Sequence, residues 1–306
     1  MNRLRFALLA ALATLGPTLL VAQSRFRADI DLVSLAVTIA DERGHFVSDL
    51  EQQDFEIFED GTPQTVRYFA RGPEGATDIP FHLALLFDTS GSMNQDIRFS
   101  RTAAIKFLNA MPHADDMTLV EFDTEVRLSR YSQDDFARLV ERIRGRKPSG
   151  FTALYDALGT YLANAGELDG RKVLILYTDG GDTRSTMSWS ETLGLLKASD
   201  VTIYAIGFLA HQTNSSLMGQ RRQLQQIAEI TGGRAFFPRD DKDVDVAYES
   251  IQTELEAQYI LGYVSTDTRM DGKWRKVEVK LKRPEVKRAQ VRTRPGYFAR
   301  RRETVP

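Results

Sequence analysis

The segment Asp88-Thr89-Ser90-Gly91-Ser92 places one carboxylate and two hydroxyls within five residues. Two further oxygen donors stand in similar settings: Thr152, in Ser149-Gly150-Phe151-Thr152, and Asp179, followed by Gly180-Gly181. A set made only of hydroxyl and carboxylate oxygens suits a hard cation. Mg²⁺ takes about six oxygens near 2.1 Å and usually keeps some water. The chain has no cysteine and 4 histidines. That excludes disulfides, thiolate zinc sites and cysteine nucleophiles. His45, His82, His113 and His211 show no close ligand spacing and read as surface or structural residues. Other chemistries fail on their signatures. A haloacid-dehalogenase-type phosphatase needs a second Asp where Ser90 stands. No GxxxxGK[ST], GxGxxG or GxSxG motif occurs.

These donors need elements to aim them. Phe81–Phe87, Met117–Phe122, Lys172–Thr178 and Val201–Phe208 are apolar runs that read as buried strands. Between them lie helical stripes: Leu154, Ala157, Leu158, Tyr161, Leu162 and Ala165; Phe136, Leu139, Val140 and Ile143; Val244, Tyr248, Ile251 and Leu255. Each has the spacing of a helix lying on a core. Fully apolar strands joined by helices argue for an α/β fold with a mainly parallel sheet covered on both faces. Asp88 and Asp179 then stand at carboxyl ends of strands, and Thr152 just before a helix starting near Ala153. Open sheets of this kind bind ligands at that edge.

Asp88-x-Ser90-x-Ser92, Thr152 ahead of Ala-Leu-Tyr-Asp-Ala, and Thr178-Asp179-Gly180 together resemble the metal-ion-dependent adhesion site of von Willebrand factor type A domains. The resemblance covers about 180 residues, in the family's order. It implies a doubly wound, Rossmann-like sheet and a bound Mg²⁺, with Mn²⁺ or Ca²⁺ as substitutes. It further implies that Ser90, Ser92 and Thr152 ligate through hydroxyls, while Asp88 and Asp179 act largely through water. The implied partner is a protein offering an Asp or Glu carboxylate to the metal, and the implied module is not an enzyme. Asp156 reads instead as a first-turn helix acid, favoured by the dipole, and Asp182 as loop structure.

The flanks carry a second resemblance. DLEQQDFEIFEDGTPQTVRYF (49–69), YILGYVS, DGKWRKVEVK and TRPGYF are similar to segments of secreted bacterial "VWFA-related" proteins. The alternating patterns of 25–77 and 259–299 read as strands, and both segments are small for independent cores. We expect them to pair into one small β domain around an A domain at 78–258, with a linker at 71–80 and a basic tail at 300–306. Trp274 and Tyr297 read as part of the β-domain core.

Residues 1–24 have a basic start at Arg3 and Arg5, an apolar run broken by Pro17, and small residues at Ala22 and Ser24. That is the shape of a secretory signal, with an uncleaved anchor as the alternative. The expected protein is exported, periplasmic or secreted, with no membrane span after cleavage. With 40 Lys plus Arg against 42 Asp plus Glu, nothing points to a nucleic-acid partner. The sequence leaves the oligomeric state open. Two other functions compete: a metal-dependent hydrolase using the same cation to activate water, and a periplasmic scaffold whose metal is structural. The helix near 243–257 runs directly into the strand at 259–265, so occupancy of the metal site could be felt by the β domain.

Overall fold

The computed structural model describes residues 32–72, 79–111, 114–210, 214–286 and 288–301. The signal segment, most of the expected linker, His113, His211 and residues 302–306 of the basic tail lie outside them.

The chain opens with β1 (Leu32–Ala40), β2 (Phe55–Glu59), β3 (Thr62–Gln64) and β4 (Val66–Arg71). The central part runs β5 (Phe81–Asp88), α1 (Ile97–Ala110), β6 (Asp116–Phe122), β7 (Val126–Ser132), α2 (Phe136–Gly145), α3 (Leu154–Ala165), β8 (Arg171–Thr178), α4 (Trp189–Ala198), β9 (Thr202–Gly207), α5 (Asn214–Ile230), β10 (Ala235–Phe236) and α6 (Asp241–Ala257). It closes with β11 (Tyr259–Val264), β12 (Trp274–Leu281), β13 (Gln290–Arg292) and β14 (Gly296–Phe298).

The central sheet has six strands in the order β10-β9-β8-β5-β6-β7. All its pairings are parallel except β6 with β7. The apolar runs have a physical reason: helices cover both faces of the sheet. Leu83, Leu85 and Phe87 point toward a core shared with α1, α2 and α6. Ala84 and Leu86 point the other way, into a core shared with α3, α4 and α5. Successive side chains of one strand thus enter different cores, so neither side tolerates polar residues. The antiparallel edge strand β7 is not legible in the sequence. Its residues are only half-buried, and the hairpin turn at Asp123-Thr124-Glu125 lacks the usual glycine.

The flanking segments pair with each other. β11 lies between β1 and β4 in the sheet β13-β1-β11-β4, and β12 lies between β14 and β2 in the sheet β14-β12-β2-β3. Val33, Leu35, Val37 and Ile39 meet Phe55, Ile57, Val277, Val279 and Leu281 in one core between the sheets. Neither flank alone has two layers. Each buried Val, Leu or Ile is worth about 1.5–3 kcal/mol, and here that gain exists only when the two chain ends meet. Trp274 packs edge-on against Phe298 on β14, and the Tyr297 hydroxyl donates to the buried Glu59 at 2.8 Å.

Candidate metal centre

β5 continues into β6 on one side of the sheet, while β8 lies on its other side. The loops beyond β5 and β8 therefore diverge and leave a crevice at the carboxyl edge. Asp88, the last residue of β5, is fully buried. Its carboxylate accepts from the Ser90 backbone N–H at 2.9 Å and from the Thr178 hydroxyl at 2.7 Å. Thr178 Oγ1 in turn accepts from the Gly180 N–H at 3.0 Å, which fixes the turn that carries Asp179. The Ser90 and Ser92 hydroxyls lie 2.9 Å apart, the first buried and the second exposed. Ser92 also hydrogen-bonds the Asp179 carboxylate. Asp88, Ser90, Ser92 and Asp179 thus form one connected set of side chains.

The loop that carries Thr152 is tied to the loops of this group by backbone bonds. Ser149 N–H donates to Thr89 O at 2.9 Å and Gly91 N–H to Gly150 O at 3.0 Å, lacing its loop to the Asp88 loop. On the other side, Thr183 N–H and Arg184 N–H donate to Thr152 O at 2.8 and 3.0 Å. The Thr152 N–H donates back to Thr183 Oγ1 at 3.0 Å. Two glycines permit the lacing in different ways. Gly150 has φ +78°, and a Cβ there would stand 2.4 Å from Thr124 Oγ1. Gly91 does not adopt a left-handed φ; its hydrogen atom matters because a Cβ would press to 3.2 Å from Gly150 O.

Burial pushes the Asp88 carboxyl up to about 7, with the neighbouring Asp179 charge adding to the rise and hydrogen bonds from Ser90 and Thr178 opposing it. Burial also raises Asp179, against hydrogen bonds from Ser92 and Gly181. Among the described residues no Lys or Arg bonds either carboxylate. The pair is therefore desolvated and mutually repelled without a protein cation to offset it. Among the described residues no group of three or more His, Cys, Asp or Glu converges. Any ion held here must draw on hydroxyl oxygens. The 2.9 Å between the serine hydroxyls is a normal hydrogen bond. It is also the separation, about 3.0 Å, of two adjacent ligands on an octahedral ion with metal–oxygen distances of about 2.1 Å. The donor set fits a small divalent cation.

Two supporting residues, Asp123 and Thr124, escaped the sequence reading, and a third, Asp156, was read too narrowly. Asp123 follows β6; its carbonyl accepts from Ala153 N–H at 2.9 Å, and its carboxylate is held by Arg127 at 2.9 Å and Arg146 at 2.9 Å. Thr124 Oγ1 accepts from Phe151 N–H at 3.0 Å. Asp156, expected to act as a helix-dipole acid, does more: its carboxylate takes the N–H groups of Thr186 and Met187, each at 2.9 Å, and so anchors the Asp179 loop to α3. Asp182 accepts from Ser185 Oγ within that loop, in line with its expected loop role. An Asp directly after an apolar strand was the available signal for Asp123.

The sequence profile of the von Willebrand factor type A domain matches residues 82–252. This chain belongs to that family. Among proteins of curated function, none matches the chain. Solved structures similar to this A-domain protein include the pilus adhesin SpaC from Lactobacillus rhamnosus GG in an open conformation, with TM-score 0.50 and 12% identity over 81% of this chain and 48% of that one. A von Willebrand factor type A protein from Catenulispora acidiphila gives TM-score 0.47 and 13% identity over 90% of this chain and 74% of that one. The PilB minor pilin from Streptococcus sanguinis gives TM-score 0.46 and 12% identity over 58% of this chain. This chain spans 62% of the length of the PilB structure. At such identities the likeness concerns the fold.

Proposed function

We propose that the protein is an exported, non-catalytic binding module that holds Mg²⁺ at the edge of its A-domain sheet and offers it to an acidic side chain of a partner protein. The observation that carries this reading is the buried Asp88–Asp179 pair, bridged by serine hydroxyls and lacking a cationic side chain among the described residues. Ser90, Ser92 and Thr152 would supply neutral oxygens, with Asp88 and Asp179 behind them. A bound divalent ion supplies a concentrated positive charge. Hydroxyl ligands leave more of that charge uncompensated than direct carboxylates would, which favours a foreign carboxylate. The export part of this reading rests on the signal-like pattern of residues 1–24.

A hydrolytic use of the same ion would need a free base beside it. The two described histidines are engaged elsewhere. His45 lies 3.4 Å from Asp41, and His82, at the opposite end of β5 from Asp88, bonds Asp116 at 2.8 Å and Asp169 O at 2.9 Å. No described histidine thus stands at the centre, and a base there would have to be a carboxylate such as Asp88.

Calorimetric titration of the purified protein with Mg²⁺ and Mn²⁺ tests the centre. One site per chain, lost in Ser90→Ala, is expected. No heat and no Mg²⁺-dependent change in the thermal midpoint would sink the proposal.

A further inference from the structure

Phe151 is 61% exposed although it directly precedes Thr152. An aromatic ring in water gains nothing for the fold, yet the backbone that carries this one is held firmly. Its N–H donates to Thr124 Oγ1 at 3.0 Å, Gly150 before it is fixed by Gly91, and Thr152 after it makes hydrogen bonds with Thr183 and Arg184. The other large exposed apolar side chains are not adjacent in sequence to a proposed ligand: Leu32 and Val264 end paired strands, Val246 and Met218 lie on α6 and α5, and Met270 and Phe298 belong to the β domain.

The charges near this ring are unevenly engaged. Arg127 and Arg146 are paired with Asp123, Arg142 with Glu121, and Arg144 with Glu141. Lys147 and Arg184 are exposed and have no ion-pair partner among the described residues. Lys147 lies in the loop leading to Gly150, and the Arg184 backbone is bonded to Thr152 O at 3.0 Å. The face thus offers an exposed aromatic side chain on a fixed backbone, with two uncommitted cations on the loops that flank it.

We infer that Phe151 is the specificity-determining residue of this surface, and that the partner is an acidic peptide segment. In it, an apolar residue lies within two positions of the metal-directed Asp or Glu, and a further acidic residue meets Lys147 or Arg184. This rests on the metal-site reading above. An aromatic side chain on a fixed backbone contributes contact area with few torsions left to order, which is how anchor residues dominate interfaces. Point attraction between one cation and one carboxylate cannot tell one acidic partner from another; an apolar contact at a fixed offset can. The free cations speed encounter and penalise basic partners.

The test is a displayed library of linear peptides carrying a central Asp and randomised flanks. It is selected on the full chain in Mg²⁺ and, separately, in chelator. We expect Mg²⁺-dependent enrichment of peptides with an aliphatic or aromatic residue within two positions of the Asp and a second acid nearby. Phe151→Ser should weaken the winners about tenfold while leaving calorimetric Mg²⁺ binding unchanged. Lys147→Gln with Arg184→Gln should flatten their salt dependence. Winners without an apolar preference, winners indifferent to Phe151→Ser, or no enrichment despite bound Mg²⁺ overturn the inference alone. Absence of Mg²⁺ binding in the calorimeter instead overturns the metal reading beneath it.

Discussion

Glu254 on α6 and Arg292 on β13 form an ion pair across the junction between the A domain and the β sandwich. Glu254 is fully buried. It also accepts from the Tyr204 hydroxyl of β9 at 2.7 Å and from the Thr38 hydroxyl of β1 at 3.3 Å, with Arg234 at 3.9 Å. One carboxylate therefore ties the last helix of the A domain to its own sheet and to both chain ends of the sandwich. Burial, reinforced by the Glu254 charge, holds the Tyr204 phenol well above its ordinary range, so it stays a donor at any physiological pH. The clasp fixes α6 at the point where it passes into β11.

Removing one partner of a buried pair leaves the other uncompensated, which costs about 3–5 kcal/mol. Arg292 is 22% exposed, so Arg292→Met should sit near the lower end, at about 3 kcal/mol. Urea unfolding should shift to a lower midpoint and remain one transition, because the A domain and sandwich share this charge. Two separated transitions in the unmodified protein would show that the clasp couples nothing.

The candidate centre predicts an opposition between stability and binding. Asp179→Asn removes one of two repelling, desolvated carboxylates. In chelator the variant should be more stable than the parent by about 1–2 kcal/mol. The parent should gain about 2.7 kcal/mol when Mg²⁺ reaches a hundred times its dissociation constant. The variant should gain little. Thermal scans of both proteins with and without Mg²⁺ measure all four values. A destabilised variant in chelator would mean that the pair is not strained.

The grouping of Asp88, Ser90, Ser92 and Asp179 was legible because these residues follow fully apolar strands. FHLALLF followed by Asp-Thr-Ser-Gly-Ser marks both a doubly covered strand and the edge where it stops. Pairing of the flanks was legible from their size: neither could form two layers alone. The long-range supports were not. Asp123 has no local signature separating it from a turn residue, since its arginines lie 4 and 23 positions away. The Asp156 carboxylate caps amides 30 and 31 residues later, so its local helix-start context pointed to the dipole instead. Glu254 looked like one more polar position on an amphipathic helix. Its burial depends on Thr38 and Arg292, contributed by opposite ends of the chain.

Asp123 sets an acid limit on the scaffold. Burial raises its carboxyl, but hydrogen bonds from Arg127, the Glu125 N–H and Arg146 outweigh that and bring it down to about 2. A depressed folded value stabilises the protein above the ordinary carboxylate range, and that stability is lost as pH falls through the folded value. The loss should fall between about pH 4 and pH 2 and amount to about 2 kcal/mol. Asp123→Asn should be less stable at neutral pH and show a flatter profile across that window. Equal slopes for parent and variant in pH-dependent urea unfolding would discount the Arg127–Asp123–Arg146 cluster.

The lacing of the Thr152 loop gives a last prediction. Gly150 holds φ +78° with Thr124 Oγ1 at 2.4 Å from where a Cβ would be built. A left-handed backbone costs an alanine about 1–2 kcal/mol, and the close approach to Thr124 must be relieved as well. Thr124 Oγ1 accepts from Phe151 N–H, and Gly150 O from Gly91 N–H, so any shift that relieves the contact disturbs the bonds that hold the Thr152 loop beside the Ser90–Ser92 loop. Gly150→Ala should therefore cost about 2 kcal/mol of stability and weaken Mg²⁺ binding at least tenfold, although no proposed ligand is altered. Gly145→Ala, where a Cβ meets open space, is the matched control and should leave Mg²⁺ affinity unchanged. Equal Mg²⁺ affinities for the two variants would remove Thr152 from the centre and leave Ser90, Ser92 and the two aspartates as its whole donor set.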